Sequence, residues 1–170
     1  MSPRNASHPS ETRSPVSPTA RAYVFKPNES ELRWMGDTSA FFLATGELTG
    51  GAFGLVDERA KRGVGAPLHR HDEDVESFYV LEGEVTFFLG DAPGQQVSAG
   101  GFAHIPKGTV HGFRIDSETA RYLILTTPRH AEFYRAITGT EVRAAIGKAT
   151  IDQACRDYGI TFVGPLPEQA

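Results

Sequence analysis

From Tyr23 onward the chain is a succession of short apolar runs separated by turns that are rich in glycine. Each run has the length of one strand, and glycine and proline between such runs favour tight turns. This spacing predicts an all-β domain, either a sandwich or a barrel. The predicted strands are Tyr23–Phe25, Ala40–Thr45, Ala52–Glu58, Glu76–Leu81, Val85–Leu89, Phe102–Ile105, His111–Ile115 and Arg121–Thr127.

Short helices are expected only near the C-terminus. There the apolar residues recur every three or four positions, as on one face of a helix, instead of every second position. One is predicted over Ala131–Ile137. A second is predicted to begin at a capping box formed by Thr150 and Gln153 and to end at Gly159. Its apolar stripe comprises Ile151, Ala154, Cys155 and Tyr158. Cys155 on that stripe is interpreted as a small buried hydrophobe rather than a reactive thiol.

The chain is interpreted as a tail followed by one domain. Residues 1–20 are rich in Ser and Pro and hold few large apolar side chains, so a disordered N-terminal tail is expected there. Residues 21–170 are expected to form a single domain with a C-terminal helical extension. The chain has one cysteine, which excludes a disulfide within it.

The charge balance bears on the partners of the protein. With 17 basic and 21 acidic residues, the net charge of −4 argues against binding to nucleic acid or to an anionic membrane. No apolar run approaches the ~20 residues of a membrane span, and the N-terminus lacks the apolar core of a secretory signal. A cytoplasmic protein with a small-molecule partner is therefore expected.

Two segments framed by glycines carry residues that can bind a metal ion. His69 and His71 are two residues apart, which places both imidazoles on one face of a strand. Glu76 opens the next predicted strand, and His111 follows a Pro-Gly turn at the start of another. The sequence thus predicts a metal site of three imidazoles and one carboxylate, with His69, His71, Glu76 and His111 as ligands.

Other histidines and acidic residues receive simpler interpretations. His8 in the tail and His130 at a helix entrance are interpreted as ordinary histidines without a role in the site. His104 occupies no ligand position, so a structural role or a contact behind a ligand is expected. The acidic run 72–74 is interpreted as a solvated turn.

The donor set indicates which ion could bind. Three imidazoles and one carboxylate suit one divalent transition metal ion, Ni, Fe, Mn or Co, with Cu or Zn as alternatives, and supply too few oxygens for Ca or Mg. Four protein ligands leave one or two coordination positions open for water, a substrate oxygen or O2. Such a site favours chemistry over a purely structural role.

Strand parity predicts the walls of a pocket beside the metal. Residues two and four positions from an inward ligand also face inward. With neighbouring apolar residues, the predicted substrate pocket comprises Phe53, Leu55, Phe78, Val80, Phe88, Phe113 and Ile115, together with one face of Phe87. These walls suit a small apolar or aromatic substrate. The alternative is that the same side chains simply fill a small barrel.

The two segments resemble the motifs of the cupin superfamily. The first motif, G-x5-H-x-H-x(3 or 4)-E-x6-G, fits at every position from Gly63 to Gly83. The second, G-x5-P-x-G-x2-H-x3-N, fits from Gly100 to His111, but Ile115 replaces its final Asn. The resemblance implies a double-stranded β-helix, a jelly-roll barrel, and makes Glu76 the carboxylate in register. Outside the motifs, the stretch from Tyr23 to Pro165 is similar to single-domain cupins related to quercetin 2,3-dioxygenase.

That resemblance implies an oxidoreductase that uses O2 to cleave the ring of a flavonol-like phenol with loss of carbon monoxide. Glu76 would act both as a metal ligand and as the catalytic base that accepts the proton of the substrate hydroxyl. One alternative is a non-redox cupin, an isomerase, cyclase or lyase in which Glu76 or Tyr79 handles protons. Another is a cupin that binds a small molecule without turnover. Related cupins commonly pair through outer strands, so a homodimer is expected.

Overall fold

The structure, a computed structural model, describes residues 20–143 and 145–168. The predicted tail therefore lies outside the described residues except for Ala20, and so does His8. The strands are β1 (Glu31–Met35), β2 (Thr38–Ala44), β3 (Gly54–Lys61), β4 (Gly65–His71), β5 (Glu76–Glu82), β6 (Glu84–Leu89), β7 (Gln95–Ser98), β8 (Phe102–Ile105), β9 (His111–Ile115), β10 (Thr119–Thr126) and β11 (Ile160–Gly164). The helices are α1 (Gly46–Thr49), α2 (Pro128–Ala136) and α3 (Lys148–Tyr158).

The strands form two antiparallel sheets that pack face to face. The six-stranded sheet has the order β1-β2-β3-β10-β5-β8, and the five-stranded sheet has the order β11-β4-β9-β6-β7. In the middle of each sheet, neighbouring strands come from distant parts of the chain, since β3 and β5 both pair with β10 and β4 and β6 both pair with β9. The predicted all-β jelly roll with short C-terminal helices is confirmed.

The core lies between the two sheets and is built from side chains that alternate with solvent-facing ones. Phe78 of β5 and Phe113 of β9 face each other with ring centroids 5.2 Å apart, and Phe87 and Tyr122 close the cluster. All four rings are buried. Removing one such ring typically costs about 3 to 5 kcal/mol, so this cluster is a main source of the stability of the barrel.

One predicted strand is wrong, and several observed strands were not predicted from the spacing of apolar residues. Residues Tyr23–Phe25 form no strand. Pro27 lies two residues beyond Phe25, and the Tyr23 hydroxyl donates to the Leu43 carbonyl at 2.9 Å. The strands β1, β7 and β11 were not anticipated, and β4 was not among the predicted strands, although His69 and His71 were expected to lie on one. They lie at or next to sheet edges, where alternation between apolar and polar residues is weak.

Both long helices form, with different ends from those expected. Thr127 caps α2, and Pro128 occupies its first turn, so the helix starts three residues earlier than predicted. The capping box at Thr150 is wrong, because α3 begins at Lys148 after Gly147 and Thr150 lies inside it. Gly159 ends α3 in the left-handed conformation with φ 66°. No helix of the described ranges is both long and apolar enough to span a membrane.

The acidic turn between β4 and β5 is only partly solvated. Glu73 is exposed, but the side chain of Asp74 is 3% exposed and lies 3.0 Å from the Arg129 guanidinium. Asp74 also accepts a hydrogen bond from the Thr127 hydroxyl. The interpretation of 72–74 as a solvated turn is therefore wrong for Asp74, which ties this turn to the start of α2.

Candidate metal centre

The four residues with metal-binding side chains come together at one end of the barrel. His69 and His71 lie at the end of β4, Glu76 begins β5 and His111 begins β9. β4 and β9 pair directly at this point, with His69 opposite His111. One ligand atom from each of the four residues lies within 4.8 Å of the others. The arrangement could hold a single metal ion.

The turn before β9 fixes the position of the strand ends. The amide of Gly108, in the turn before β9, donates to the carbonyl of His71 at 2.7 Å. Gly108 has φ 79°, a conformation that glycine adopts without strain. The second glycine-framed segment is thereby bound directly to the first, which brings His111 to the histidines of β4.

Backbone carbonyls set the orientation of two imidazoles. Nδ1 of His69 donates to the Pro67 carbonyl at 2.8 Å, and Nδ1 of His111 donates to the Thr109 carbonyl at 2.9 Å. In each case the carbonyl lies two residues before the histidine and fixes the proton on Nδ1. Nε2 of His69 is then left with a lone pair for a metal, as in protein metal sites generally. Nε2 of His111 donates to the Glu76 carboxylate at 3.1 Å, so a metal ion bound there would displace that proton.

Unlike His69 and His111, His71 makes no hydrogen bond through its ring to the described residues, a feature that it shares with His130 beside the cluster. His71 is 2% exposed, and neither of its ring nitrogens has a hydrogen-bond partner in the described part of the chain. A buried nitrogen without a partner costs roughly 1 to 3 kcal/mol. A metal ion at the centre would satisfy one of them, so His71 fits a metal ligand better than a structural histidine.

The electrostatics of the cluster depend on Glu76. Burial alone would raise the pKa of Glu76, but a hydrogen bond with His111 at 3.1 Å and the nearby His130 ring outweigh it. The pKa of Glu76 therefore lies well below its usual range, and the carboxylate is charged. Burial lowers the pKa of His71 to about 3 and also lowers that of His69. For His111, burial acts to lower the pKa, but the hydrogen bond and the charge of the Glu76 carboxylate outweigh it. The pKa of His111 is therefore raised.

These residues fit a divalent transition metal ion. The His69 and His71 rings are neutral, as metal binding requires, and Glu76 is ionised. The Glu76 carboxylate lies 3.1 Å from the His111 ring, so both residues could bind the same ion. Nitrogen donors outnumber the carboxylate, which disfavours Ca and Mg and suits Ni, Fe, Mn, Co, Cu or Zn.

A fourth histidine lies beside the cluster and was missed. His130 of α2 is 1% exposed, packs against His71 with tilted rings whose centroids are 4.3 Å apart, and has Nε2 3.3 Å from Oε1 of Glu76. The sequence analysis interpreted His130 as an ordinary histidine and did not anticipate that it would lie against the cluster. The available signal was its position three and four residues before Phe133 and Tyr134, which form the buried face of α2.

The cluster opens onto a cavity of about 170 Å³ between the two sheets and α2. Apolar side chains make up most of its wall, and His69, Glu76 and His130 contribute at one end. Its lining residues are Met35, Thr38, Glu58, Val64, Gly65, Ala66, Pro67, His69, Glu76, Phe113, Tyr122, His130, Phe133, Tyr134, Ile137, Ile151, Ile160 and Phe162. Among the predicted pocket residues, Phe113 is at this wall.

Three predicted pocket residues point away from the barrel interior. Phe53 precedes β3 and is 40% exposed. The inward residues of β3 are Val56, Glu58 and Ala60, so Leu55 takes the opposite face. Phe88 pairs with Gly112 and lies beneath the Arg114 guanidinium, 5.7 Å from the ring centre. Assigning Phe53, Leu55 and Phe88 to the pocket was wrong, because the parity of β3 and β6 was not known.

Phe78, Val80 and Ile115 do face inward and are fully buried. They fill the core beyond the cavity, as does Phe87, so the structure does not place them at the cavity wall. Here the alternative of plain barrel filling describes the side chains correctly. Phe113 is the exception because β9 runs beside β4, which forms the opposite part of the wall.

Two further residues lie on the outer surface. Tyr79 alternates with inward Phe78 and Val80 and is 43% exposed, so it cannot handle protons in the cavity as the non-redox alternative supposed. His104 is exposed, and its Nδ1 lies 2.8 Å from the hydroxyl of Ser77 on the neighbouring strand. This contact fits the structural role expected of His104.

The cavity also holds a carboxyl group that the sequence reasoning missed. Glu58 of β3 is 3% exposed, lines the cavity and accepts a hydrogen bond from the Tyr122 hydroxyl at 2.8 Å. Burial raises the pKa of Glu58 to about 7, against the opposing effect of the Tyr122 hydrogen bond. Its signal in the sequence was a charged residue at the inward parity of β3, between Val56 and Ala60.

Comparisons with known proteins agree with this architecture. A protein-family model described as a cupin domain matches residues 57–126. Quercetin 2,3-dioxygenase of Bacillus subtilis (strain 168) is 31% identical over 116 residues, which cover 68% of this chain. The chain spans only about a third, 34%, of the length of that protein.

Solved structures of similar fold are considerably more distant in sequence. KdgF from Halomonas sp. superposes with a TM-score of 0.55 at 19% identity, covering 62% of this chain and 94% of that one. A sugar phosphate isomerase of the cupin superfamily from Silicibacter pomeroyi gives a TM-score of 0.51 at 23% identity, covering 62% and 75%. At these identities the likeness shows the fold alone.

Proposed function

Because this chain is a cupin, with its cupin domain at residues 57–126, we propose that it is a metal-dependent dioxygenase that uses O2 to cleave a flavonol-like phenolic substrate. The observation that carries this proposal is the position of the His69, His71, Glu76 and His111 cluster beside an apolar cavity, which His69 and Glu76 line. A metal held there would meet a substrate that lies against aromatic and aliphatic walls. The similarity to a quercetin 2,3-dioxygenase supports the choice of reaction class.

Different residues have different roles in the proposed reaction. His69, His71, Glu76 and His111 would hold the ion, which when bound supplies Lewis acidity that lowers the pKa of a coordinated hydroxyl. Glu76 lines the cavity and is charged, so it can accept the proton of a substrate hydroxyl placed there. The apolar walls exclude water and strengthen that proton transfer.

The dimensions of the cavity bear on the substrate. Sites for drug-sized ligands usually measure about 300 Å³ or more. A cavity of about 170 Å³ accepts one or two fused aromatic rings as it stands. A three-ring flavonol would have to displace part of the wall, and the exposed side chain of Phe162 at the rim is placed to move. Small phenols therefore belong in any substrate test beside flavonols.

The experiment that tests this function begins with metal analysis of the purified protein. The protein is then reconstituted with Ni, Co, Mn or Fe and given phenols of one, two and three rings, flavonols included, under air and under nitrogen. Consumption of O2 together with loss of the phenol is the expected result. Turnover under nitrogen would overturn the dioxygenase and indicate an isomerase, cyclase or lyase. A protein that bound none of the metals would overturn the site itself.

We propose in addition that the protein works as a homodimer through the outer face of the six-stranded sheet. Tyr79 and Phe102 are cross-strand neighbours on that face and are 43% and 61% exposed. Leu125 of β10 lies near them and is 47% exposed. Apolar side chains that cluster on one outer face support pairing of two copies there.

A further inference from the structure

Away from the proposed metal ligands, the cavity wall carries a second polar group, the pair formed by Glu58 and Tyr122. The two residues face each other across β3 and β10. Both are almost fully buried, at 3% and 1% exposure, and both line the cavity. The Tyr122 hydroxyl donates to Oε2 of Glu58 at 2.8 Å. The two residues form a buried, hydrogen-bonded polar pair in a cavity wall that is otherwise mostly apolar.

The pair is incompletely satisfied by the protein itself. In the described part of the chain, Glu58 accepts one side-chain hydrogen bond, at Oε2, and Oε1 receives none. A buried carboxyl group with open hydrogen-bonding capacity costs more than an apolar side chain of the same size. A pair that served only the fold would be expected to be enclosed and fully bonded. Glu58 instead presents its free oxygen to a cavity.

The charge state of Glu58 allows it to bond to a hydroxyl in either direction. Burial is the main cause that raises the pKa of Glu58 to about 7, and the charges of Glu76 and Asp57 act in the same direction. Near neutral pH the group is therefore present both as an acid, which donates a hydrogen bond, and as a carboxylate, which accepts one. The Tyr122 oxygen can accept a further hydrogen bond beside it.

The pair is displaced from the proposed metal centre along the barrel. On β10, Tyr122 pairs with Val80, whereas Thr126 pairs with Glu76. Four residues of strand correspond to about 13 Å of backbone, although the inward side chains approach more closely than that. The two carboxyl groups thus mark two separate points of the same cavity.

We propose that Glu58 and Tyr122 form a second substrate-recognition point, which hydrogen-bonds a hydroxyl of the phenolic substrate remote from the hydroxyl at the metal; this rests on the proposed function. The substrate class is thereby narrowed to aromatic compounds with two polar substituents at opposite ends. The ring of Tyr122, packed edge-on against Phe113 at 5.7 Å, holds the hydroxyl in place. Selection by a buried polar group is stronger than selection by an apolar wall, because a substrate without the hydroxyl leaves that group unpaired.

The test compares two ligands on the metal-loaded protein by calorimetry under nitrogen, so that binding is measured without turnover. The ligands are quercetin and 3-hydroxyflavone, which shares the 3-hydroxyl and lacks the remote ones. The variants are Glu58→Gln and Tyr122→Phe. Glu118→Gln, the same chemical change at an exposed turn, is the matched control. Metal content and thermal unfolding of each variant establish that it is folded and loaded.

We expect both cavity variants to weaken quercetin binding about tenfold and 3-hydroxyflavone binding less than twofold, which is the size of one lost hydrogen bond. The control is expected to match the parent protein with both ligands. If the parent binds both ligands and the cavity variants weaken them equally or not at all, the recognition point is overturned while the proposed function stands. If the parent binds neither ligand, the recognition point is overturned; if it also consumes no O2 with phenols of one and two rings, the proposed function is overturned with it.

Discussion

Glu76 meets a different imidazole at each of its two oxygens. Oε2 lies 3.1 Å from Nε2 of His111, and Oε1 lies 3.3 Å from Nε2 of His130. Only the first of these histidines belongs to the cluster of possible metal ligands. One oxygen of Glu76 is thus directed to the metal centre and the other to α2, which is consistent with a carboxylate that binds through one oxygen and keeps the second for a proton.

The two proposed roles of Glu76 can be separated by mutation. Glu76→Gln keeps an oxygen that can bind a metal but loses a basic group, so turnover is expected to fall at least a hundredfold while metal content falls much less. His69→Ala removes a donor and is expected to lower both. Metal content by elemental analysis and the steady-state rate of O2 consumption are the measurements. Equal loss of metal in the two variants would contradict a base role for Glu76.

His130 is expected to position Glu76 rather than to bind the metal. His130→Phe keeps an aromatic ring packed against His71 but removes the nitrogen near Oε1 of Glu76. We expect unchanged metal content and a fall in kcat of about tenfold with little change in KM, since a misplaced base slows only the chemical step. Metal loss as large as that of His69→Ala would show that His130 is itself a ligand.

The burial of Glu58 makes a specific prediction about stability and pH. Its pKa is raised from 4.5 to about 7, so between these values the folded state binds the proton that the unfolded state has released. Stability therefore falls as pH rises through this range, by about 3 kcal/mol if the full shift is realised. Below pH 4.5 the group is neutral in both states and contributes no slope.

Glu58→Gln is expected to remove this dependence while Glu76, Asp57 and Tyr122 stay as they are. Urea denaturation of the metal-free parent and variant at steps from pH 4.5 to 8 measures the effect. The free energy of unfolding of the variant, relative to the parent, should increase by up to about 3 kcal/mol across the range. A difference that is constant with pH would contradict a buried, proton-binding Glu58.

The residues that could be predicted from the sequence are those whose spacing is local. His69, His71 and Glu76 fall within eight positions, and the Pro-Gly turn before His111 repeats the glycine framing. Glu58 and His130 reach the cavity from β3 and α2, and no short spacing connects them to the motifs. Their side chains become part of the site only through β10 and the sheet packing, which requires tertiary structure.

At the scale of elements, the turn between β4 and β5 is joined to both long helices through Arg129. This guanidinium lies 3.0 Å from Asp74 and donates to the carbonyls of Tyr158 and Asp157 at 2.6 and 3.0 Å. Asp74, at the other end of the pair, lies two residues before Glu76. The same contact therefore anchors the start of α2, the end of α3 and the turn that leads to the proposed base.

Asp74→Asn is expected to destabilise this junction by about 2 kcal/mol, because it removes the charge from a buried hydrogen-bonded pair. The estimate lies below that for a fully buried pair, since Arg129 is 42% exposed. Chemical denaturation measures it, with Glu73→Gln as the control. Glu73 is 70% exposed, and its pairing with Lys107 is expected to contribute less than 0.5 kcal/mol. Equal stabilities of the two variants would contradict the anchoring role of Asp74.

The elements themselves were predictable where their period was clear. β5, β6 and β9 alternate strictly or carry apolar runs, and their bounds agree with the pattern to within a residue or so. β11 pairs with β4 only after α3 has returned the chain to the barrel, so its place as an edge strand depends on a contact distant in sequence. By contrast, the edge strand β8 was predicted with its bounds correct, because its own sequence carries the pattern.

At the scale of the whole molecule, the inner faces of both sheets supply residues of the proposed site, and the outer face of the six-stranded sheet exposes apolar side chains. The five-stranded sheet contributes three of the four proposed ligands, through β4 and β9, and the six-stranded sheet contributes Glu76 and Glu58. The cavity therefore depends on the packing of one sheet against the other. The outer face of the six-stranded sheet, far from that contact, is where Tyr79, Phe102 and Leu125 are exposed.

The exposed apolar face predicts the oligomeric state. Phe102→Glu places a charge where two copies would bury the phenyl ring, so a dimer is expected to dissociate at least tenfold more readily, since that substitution replaces an apolar contact with a desolvated charge. Light scattering during size-exclusion chromatography over a range of concentrations measures it. Val163→Glu, at a 56% exposed position of the five-stranded sheet, is the matched control and should leave the dimer intact. A parent protein that stays monomeric at every concentration would contradict the dimer. A dimer that both substitutions weaken alike would contradict pairing through the outer face of the six-stranded sheet.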